Sequence, residues 1–342
     1  MSDEPDKKKS GIWKQMLPGI LISVVIILIL VFVVDFDDLI ASFRNVSVRL
    51  IMIVFALQSV AFIFRAFAWR VTLEGIPTWA QCFWTVTEGY LLNLLPLRLG
   101  EIGRAVIMGG VIHRSPFFVF STVLLERLFD VIITLIMLLA TIPLVSGADF
   151  SPNLYYVLIS IFLIGLVLLF LIAKNQENFV KRLEKIIKPE SKFGRFLYPK
   201  LQSLLNGLSV LAQPKKFIIW LFWILMTWVC WIATMLVCMH AFFPNLPVWS
   251  SLFVQSITAL GGAIPSAPAG LGVIEGAFVA ALRIFGINQS EALGFGMFNH
   301  SMGIITPVIW GLIGFAVQGQ SFSQVFSGLR KVNLSEEDAK ND

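Results

Sequence analysis

Glu126, Arg127 and Asp130 stand together inside an otherwise apolar run, Phe117 to Leu144. An ionisable group at the centre of a membrane helix costs about 2.5 to 3.5 kcal/mol on insertion scales, so each needs a partner, a wet cavity or a function. Glu126 and Asp130 are four residues apart and share a helix face. At 1.5 Å per residue they lie about 15 Å into the run, near mid-bilayer. Two chemistries fit this cluster. Either an arginine neutralises the acids as an internal ion pair, or Glu126, Arg127 and Asp130 form a gate or proton relay.

Arg98, Glu101 and Arg104 recur every third residue. Arginine presents a planar fork of donors that grips phosphate or carboxylate at two points, so Arg98 and Arg104 are candidate anion ligands. The competing reading pairs them with Glu126, Asp130 or Glu88. Glu101 and Glu275 each fall in the first turn after a Pro/Gly break, where a carboxylate complements the helix dipole, and they are also candidates for gating. Asn93 and the Asn299-His300 pair offer neutral hydrogen bonds between helices, with packing the default for His300. Arg65 and Arg70 flank Phe67 and Trp69 and read as interfacial anchors, headgroup recognition being the other role open to them. The tryptophans and phenylalanines are assigned to aromatic belts and lipid-facing packing.

Other chemistries find no residues to carry them. There is no HExxH, phosphate-binding glycine loop, dinucleotide fingerprint or Cys-His-Asp set, so neither a metal nor another cofactor is expected, and no soluble enzyme site. Cys82, Cys230 and Cys238 are scattered and read as packing residues. The net charge of +5 is concentrated in 174–216, with ten Lys or Arg against three Glu. That is a membrane-side loop rather than a nucleic-acid face.

The elements that must position these groups are membrane helices. The 342 residues are 57% hydrophobic and 14% charged, with a mean hydropathy of +0.83, and several apolar runs reach the roughly 20 residues a spanning helix needs. The fold expected is an all-α integral membrane protein. Six spans are read: 17–34, 50–69, 117–144, 154–173, 217–242 and 291–318. Two further apolar stretches, 79–111 and 249–285, are each interrupted by a break. Pro96-Leu97-Arg98-Leu99-Gly100-Glu101-Ile102 is echoed by Pro268-Ala269-Gly270-Leu271-Gly272-Val273-Ile274, with Pro265 just upstream of the second copy. Reading both stretches as re-entrant hairpins keeps the basic N-terminus (1–16), the basic loop and the polar tail (321–342) on the cytoplasmic side. An odd number of spans between the hairpins makes the repeat, about 50–144 and 217–318, an inverted one. Pro96, Gly100, Pro265, Pro268, Gly270 and Gly272 form the breaks within a single domain, 17–320.

Phe64-Arg65-Ala66 with Trp69-Arg70, Gly89, Asn93, Pro96, Arg98, Gly100-Glu101, Arg104, Glu126-Arg127 with Asp130, then Pro265, Pro268, Gly270, Gly272 and Glu275 occur in order. In this combination the chain resembles the flippase-like transmembrane domain of lysylphosphatidylglycerol synthetases, from about residue 17 to 320. The resemblance implies a bacterial or archaeal inner-membrane location and a role in moving or handling a lipid. Bifunctional members carry a cytoplasmic aminoacyl-transferase domain. This chain is expected to stop short of one, so synthetase activity is not carried over.

The function expected is therefore a lipid flippase or lipid-linked-precursor translocase. Its headgroup, expected to be anionic, would be held by Arg98, Arg104, Asn93, Arg65 and Arg70. A lipid-modifying membrane transferase and a non-transporting assembly or sensor protein are the alternatives. Partners are membrane lipids and no nucleic acid, with a second copy of the chain or a separate lipid-synthesising enzyme left open.

Overall fold

The computed structural model describes residues 46–95, 99–145, 156, 160, 175, 198, 201, 205, 210–211, 213–263 and 268–319. The expected span 17–34, all of 154–173 except residues 156 and 160, most of the basic loop, the polar tail, and Pro96, Arg98 and Pro265 lie outside the described residues. Among those described, eight α-helices and no strand are present, as an all-α membrane protein requires.

Four helices are long: α1 (Val48–Thr72), α4 (Pro116–Thr141), α5 (Pro214–Phe242) and α8 (Gln289–Gln318), of 25, 26, 29 and 30 residues. At 1.5 Å per residue they measure about 37 to 45 Å, more than a hydrocarbon core. Three of them, α1, α5 and α8, are also apolar enough to cross a membrane; α4 holds the Glu126-Arg127-Asp130 cluster at its middle. Four helices are short: α2 (Trp79–Leu92), α3 (Gly100–Ile112), α6 (Val248–Ala263) and α7 (Val273–Arg283), of 14, 13, 16 and 11 residues. These measure about 16 to 24 Å, too short to span alone.

Local chemistry sets the boundaries. Ser47 caps α1 by accepting from Leu50 N at 3.3 Å. Thr78 and Gln81 form a reciprocal capping box at the start of α2. Ser115 caps α4, with Pro116 in its first turn. Asn288 accepts from Glu291 N at 2.9 Å to start α8, and Gly319 ends it in the left-handed region at φ 60°.

The order long, short, break, short, long occurs twice, as α1–α4 and α5–α8. Packing follows the same symmetry: α1 lies against α5, its counterpart, while α2 packs on α8 and α6 on α4. Within the halves, α2–α3 and α3–α4 contacts are matched by α6–α7 and α7–α8. The first short arm of each half thus leans on the last long helix of the other half. Close approach is bought with missing side chains. At Gly89 of α2 a Cβ would collide with the Arg104 stem on α3, and at the equivalent Gly261 of α6 it would meet Ala277 Cβ of α7 at 2.8 Å.

The breaks meet. Ala269 N donates to Leu94 O at 2.9 Å, joining the turn Pro268–Gly270 to the end of α2. Leu91, Leu92, Leu94, Leu95, Ile107, Ala269, Ile304 and Phe315 form one apolar cluster around this contact. Ala269 sits at φ 57°, a left-handed conformation that costs an alanine about 1 to 2 kcal/mol and persists only where surroundings hold it.

The α2–α8 seam yields a prediction. A Cβ at Gly311 would lie 2.6 Å from Leu91 Cβ and 2.9 Å from Thr87 O, whereas Gly303 of the same helix has nothing within 4 Å. Gly311→Ala is expected to lower stability by about 1 to 3 kcal/mol through overpacking. Gly303→Ala is expected to be neutral or to stabilise by about 0.5 to 1 kcal/mol. Thermal unfolding of both variants in the same detergent checks the contrast.

Candidate functional site

The acids of α4 face α1 and α3, and each meets an arginine there. Arg65, fully buried on α1, donates Nη1 to Asp130 Oδ1 at 2.9 Å and Nη2 to Asp130 Oδ2, a two-pronged pair. Its Nε lies 3.4 Å from Glu126 Oε2. Arg104 of α3, 1% exposed, places Nη1 3.0 Å from the same Glu126 oxygen and stacks its guanidinium 4.1 Å over the Trp69 ring. Trp69 Nε1 in turn donates to Thr122 Oγ1 at 3.0 Å, tying α1 to α4. Arg127, on the next position of α4, bridges Glu101 Oε1 at 3.0 Å and Asp130 Oδ2 at 3.3 Å.

Two sequence expectations change here. Arg65 is no interfacial anchor: Glu126 and Asp130 on a facing helix draw it inward, so the stem that would snorkel is packed in protein instead. Arg70, five residues on, is exposed and holds the loop after α1 through Pro77 O at 2.9 Å. Arg104 takes the second of the readings open to it, partnership with Glu126, and is not free to bind an anion.

Asn93 spans the first break. Its Oδ1 accepts from Gly100 N at 2.9 Å and its Nδ2 donates to Glu101 Oε1 at 3.1 Å. Leu99, which precedes α3, makes no side-chain cap, so Asn93 supplies from upstream the oxygen that helix lacks. The second break solves the same problem differently. Glu275 Oε2 accepts from Gly272 N at 2.7 Å, and Glu275 Oε1 contacts His300 Nδ1 of α8 at 2.5 Å. His300 Nε2 donates to Ala269 O at 2.9 Å. His300 therefore holds the strained alanine from one side while Leu94 O holds it from the other.

Between these two poles lies a cavity of about 660 Å³. Asn93, Glu101, Arg127 and Asp130 line one side, and Ala269, Asn299 and His300 line the other. Trp228 and Trp231 of α5 complete the wall. Both Arg127 and Glu101 keep some exposure, 32% and 25% of their side chains. Irregular backbone at membrane depth is tolerated where it lines such a cavity, so the breaks sit where their unpaired groups can be met. Among the described residues no cluster of three metal-ligating side chains exists.

Sequence reasoning missed the tryptophans. Trp69 and Trp228 are buried, and Trp228 Nε1 donates to Asp130 Oδ1 at 3.1 Å. They belong to the charge network rather than to an aromatic belt. Trp228 stands at the middle of α5, far from either interface, and that depth was the available signal.

The family model for the lysylphosphatidylglycerol synthase transmembrane region matches residues 19–311. The chain belongs to that family. A UPF0104 membrane protein of Methanocaldococcus jannaschii, MJ1595, is 24% identical over 319 residues, covering 87% of this chain and 93% of the relative. A second from the same organism, MJ1078, is 26% identical over 234 residues, covering 67% of this chain and 94% of its own length. No solved structure matches the chain. In this lysylphosphatidylglycerol-synthase-type transmembrane domain, the charge network and both capped breaks fall inside the matched region.

The Arg65–Asp130 pair can be tested directly. Arg65→Leu or Asp130→Leu alone leaves a buried charge without its two-pronged partner and is expected to cost about 3 to 5 kcal/mol. The double Arg65→Leu/Asp130→Leu chain removes both charges and leaves Arg104 with Glu126 and Arg127 with Glu101. It is expected to recover most of that loss, read as a positive coupling in a thermal-unfolding double-mutant cycle.

Proposed function

We propose that this protein carries lipid headgroups across a prokaryotic cytoplasmic membrane through the cavity between the two breaks. The observation that supports it most is the Ala269 N to Leu94 O contact. Two interrupted helix pairs, neither with an arm long enough to span, meet tip to tip beside a cavity of about 660 Å³. This is the architecture that transporters use to place a site at mid-membrane.

On this reading α2–α3 and α6–α7 are re-entrant hairpins that enter from opposite faces, and α1, α4, α5 and α8 are full crossings. Both chain termini and the 174–216 loop lie in the cytoplasm, as their lysines and arginines favour. The headgroup occupies the cavity while the acyl chains remain in lipid. Glu101, Arg127 and Asp130 on one side and Glu275 with His300 on the other are the groups that rearrange as access alternates. Arg65, Arg104 and Glu126, fully enclosed, form the fixed part against which they move.

Reconstitution tests this. Liposomes carry acyl-labelled phosphatidylglycerol, phosphatidylethanolamine or dihexosyl diacylglycerol, and a membrane-impermeant quencher reports which leaflet holds the label. At least one of these lipids is expected to cross about tenfold or more faster than in protein-free vesicles. Arg127→Gln, which opens the bridge between Glu101 and Asp130 at the cavity wall, is expected to change that rate by about tenfold. Wild-type protein that moves none of the three faster than empty vesicles overturns the proposal.

A further inference from the structure

We propose that Glu88, on the seam where α2 packs against α8, is a proton-binding site whose proton is exchanged as the hairpin tips part. The coupling to lipid movement rests on the transport reading above; the site itself does not.

Glu88 stands nine residues beyond Trp79, about 14 Å along α2. It is fully buried, and neither of its carboxyl oxygens has a hydrogen-bond partner. Gly314 of α8 leaves the room for it: a Cβ there would lie 3.1 Å from Glu88 Cγ and 3.2 Å from Oε1. The helices packed against α2 are α8, α1 and α3, and their charges are engaged elsewhere. Between His300 and Gln318, α8 has no ionisable residue. On α1, Arg65 is taken by Asp130 and Glu126, Arg70 holds Pro77 O, and Arg49 is exposed at the far end. On α3, Arg104 is turned to Glu126 and the Trp69 ring, while Glu101 is bound by Arg127 and Asn93. The other titratable groups of α2 are Cys82, six residues away, and Tyr90, whose ring lies under the Arg127 guanidinium. A carboxylate among these neighbours would be a buried charge with neither counter-ion nor donor, so the group is held as the neutral acid.

Glu88 also sits between a polar entry and the closed tips. Thr85, one turn earlier on α2, accepts from Gln318 Nε2 at 3.3 Å, and Gln318 is half-buried at the end of α8, four residues beyond Gly314. On the proposed topology that end faces the cytoplasm. In the other direction, Leu91 and Leu92 form the next turn of α2 and belong to the apolar cluster that surrounds the Ala269–Leu94 contact. Parting the tips loosens this cluster and lets water from the cavity reach the carboxyl. The acid O–H bond then breaks, its proton passes to water and Glu88 is left as carboxylate. Reclosure expels the water, and Glu88 must take a proton again before it is buried. One proton is bound and released per cycle, with no change of oxidation state.

Two measurements test this. The first is infrared spectroscopy of the full chain in a detergent without ester carbonyls, reading the protonated-carboxyl C=O stretch by its downshift in D2O. Glu88→Gln is expected to lose a band that the wild type shows; identical bands in the two proteins overturn the site. The second uses the proteoliposomes described above, with a pH difference of about two units imposed in either direction, about a hundredfold in proton activity. In the wild type the label is expected to settle about tenfold away from an even distribution, with the favoured leaflet switching when the gradient is reversed. In Glu88→Gln it is expected to settle evenly. Wild-type protein that moves lipid to an even distribution under both gradients overturns the coupling and leaves the transport reading standing. A protein that moves no lipid, yet loses the infrared band in Glu88→Gln, overturns the transport reading and leaves the proton site standing.

Discussion

Charge in a low-dielectric interior must be neutralised within a few ångströms, and Arg65 does so for two acids of another helix at once. Its fork takes both oxygens of Asp130 while Nε reaches Glu126. That demand fixes how α1 and α4 face each other. It also recruits Arg104 from the first hairpin, because Glu126 is near two guanidinium groups and Arg104 has nowhere else to discharge its own. Trp69 and Trp228 complete the shell, one beneath the Arg104 plane and one on Asp130. Removing Arg65 leaves two acids of α4 short of a guanidinium, so the enclosed group of Arg65, Arg104 and Glu126 is held in place by electrostatic necessity.

The breaks obey the same rule with partial charges in place of full ones. A helix that starts inside a membrane exposes N–H groups that lipid cannot satisfy. In the first break Asn93 supplies the oxygen, and in the second Glu275 does. Both capping groups then extend outward, Asn93 to Glu101 and Glu275 to His300, so the caps are wired into the two poles of the cavity. Ala269 carries the strain of this arrangement. Held by Leu94 O, by His300 and by its own turn, it is the point where a movement of either hairpin would be felt by the other.

Much of this was legible in the sequence. The all-α membrane class, the four long helices described and the duplicated break follow from hydropathy and from the Pro/Gly echo. Residues at the ends of helices α1, α4, α5 and α8 fall within a few positions of where apolarity alone places them. What did not follow was pairing. Glu126 had Arg98, Arg104 and Arg127 as formal partners, and spacing along one helix says nothing about which arginine another helix brings near. Arg65 illustrates this best: beside Trp69 and Arg70 it looks like an interfacial residue, and only the acids on α4 show that it faces inward. His300 was legible as a hydrogen-bonding residue but not as the clamp on Ala269, since that contact joins positions 31 residues apart. The unequal charge of the two breaks, visible in the sequence, proved less telling than their equal need for a cap.

The proposed transport requires the contact between Leu94 and Ala269 to open for a headgroup to pass. Cysteines placed at Leu94 and Ala269 of a chain otherwise lacking Cys82, Cys230 and Cys238 would be joined by a short, reducible bifunctional thiol reagent in proteoliposomes, with lipid movement followed before and after reduction. The expected result is that joining the tips stops movement and that reduction restores it. Lipid movement that continues unchanged with the tips joined would contradict the account.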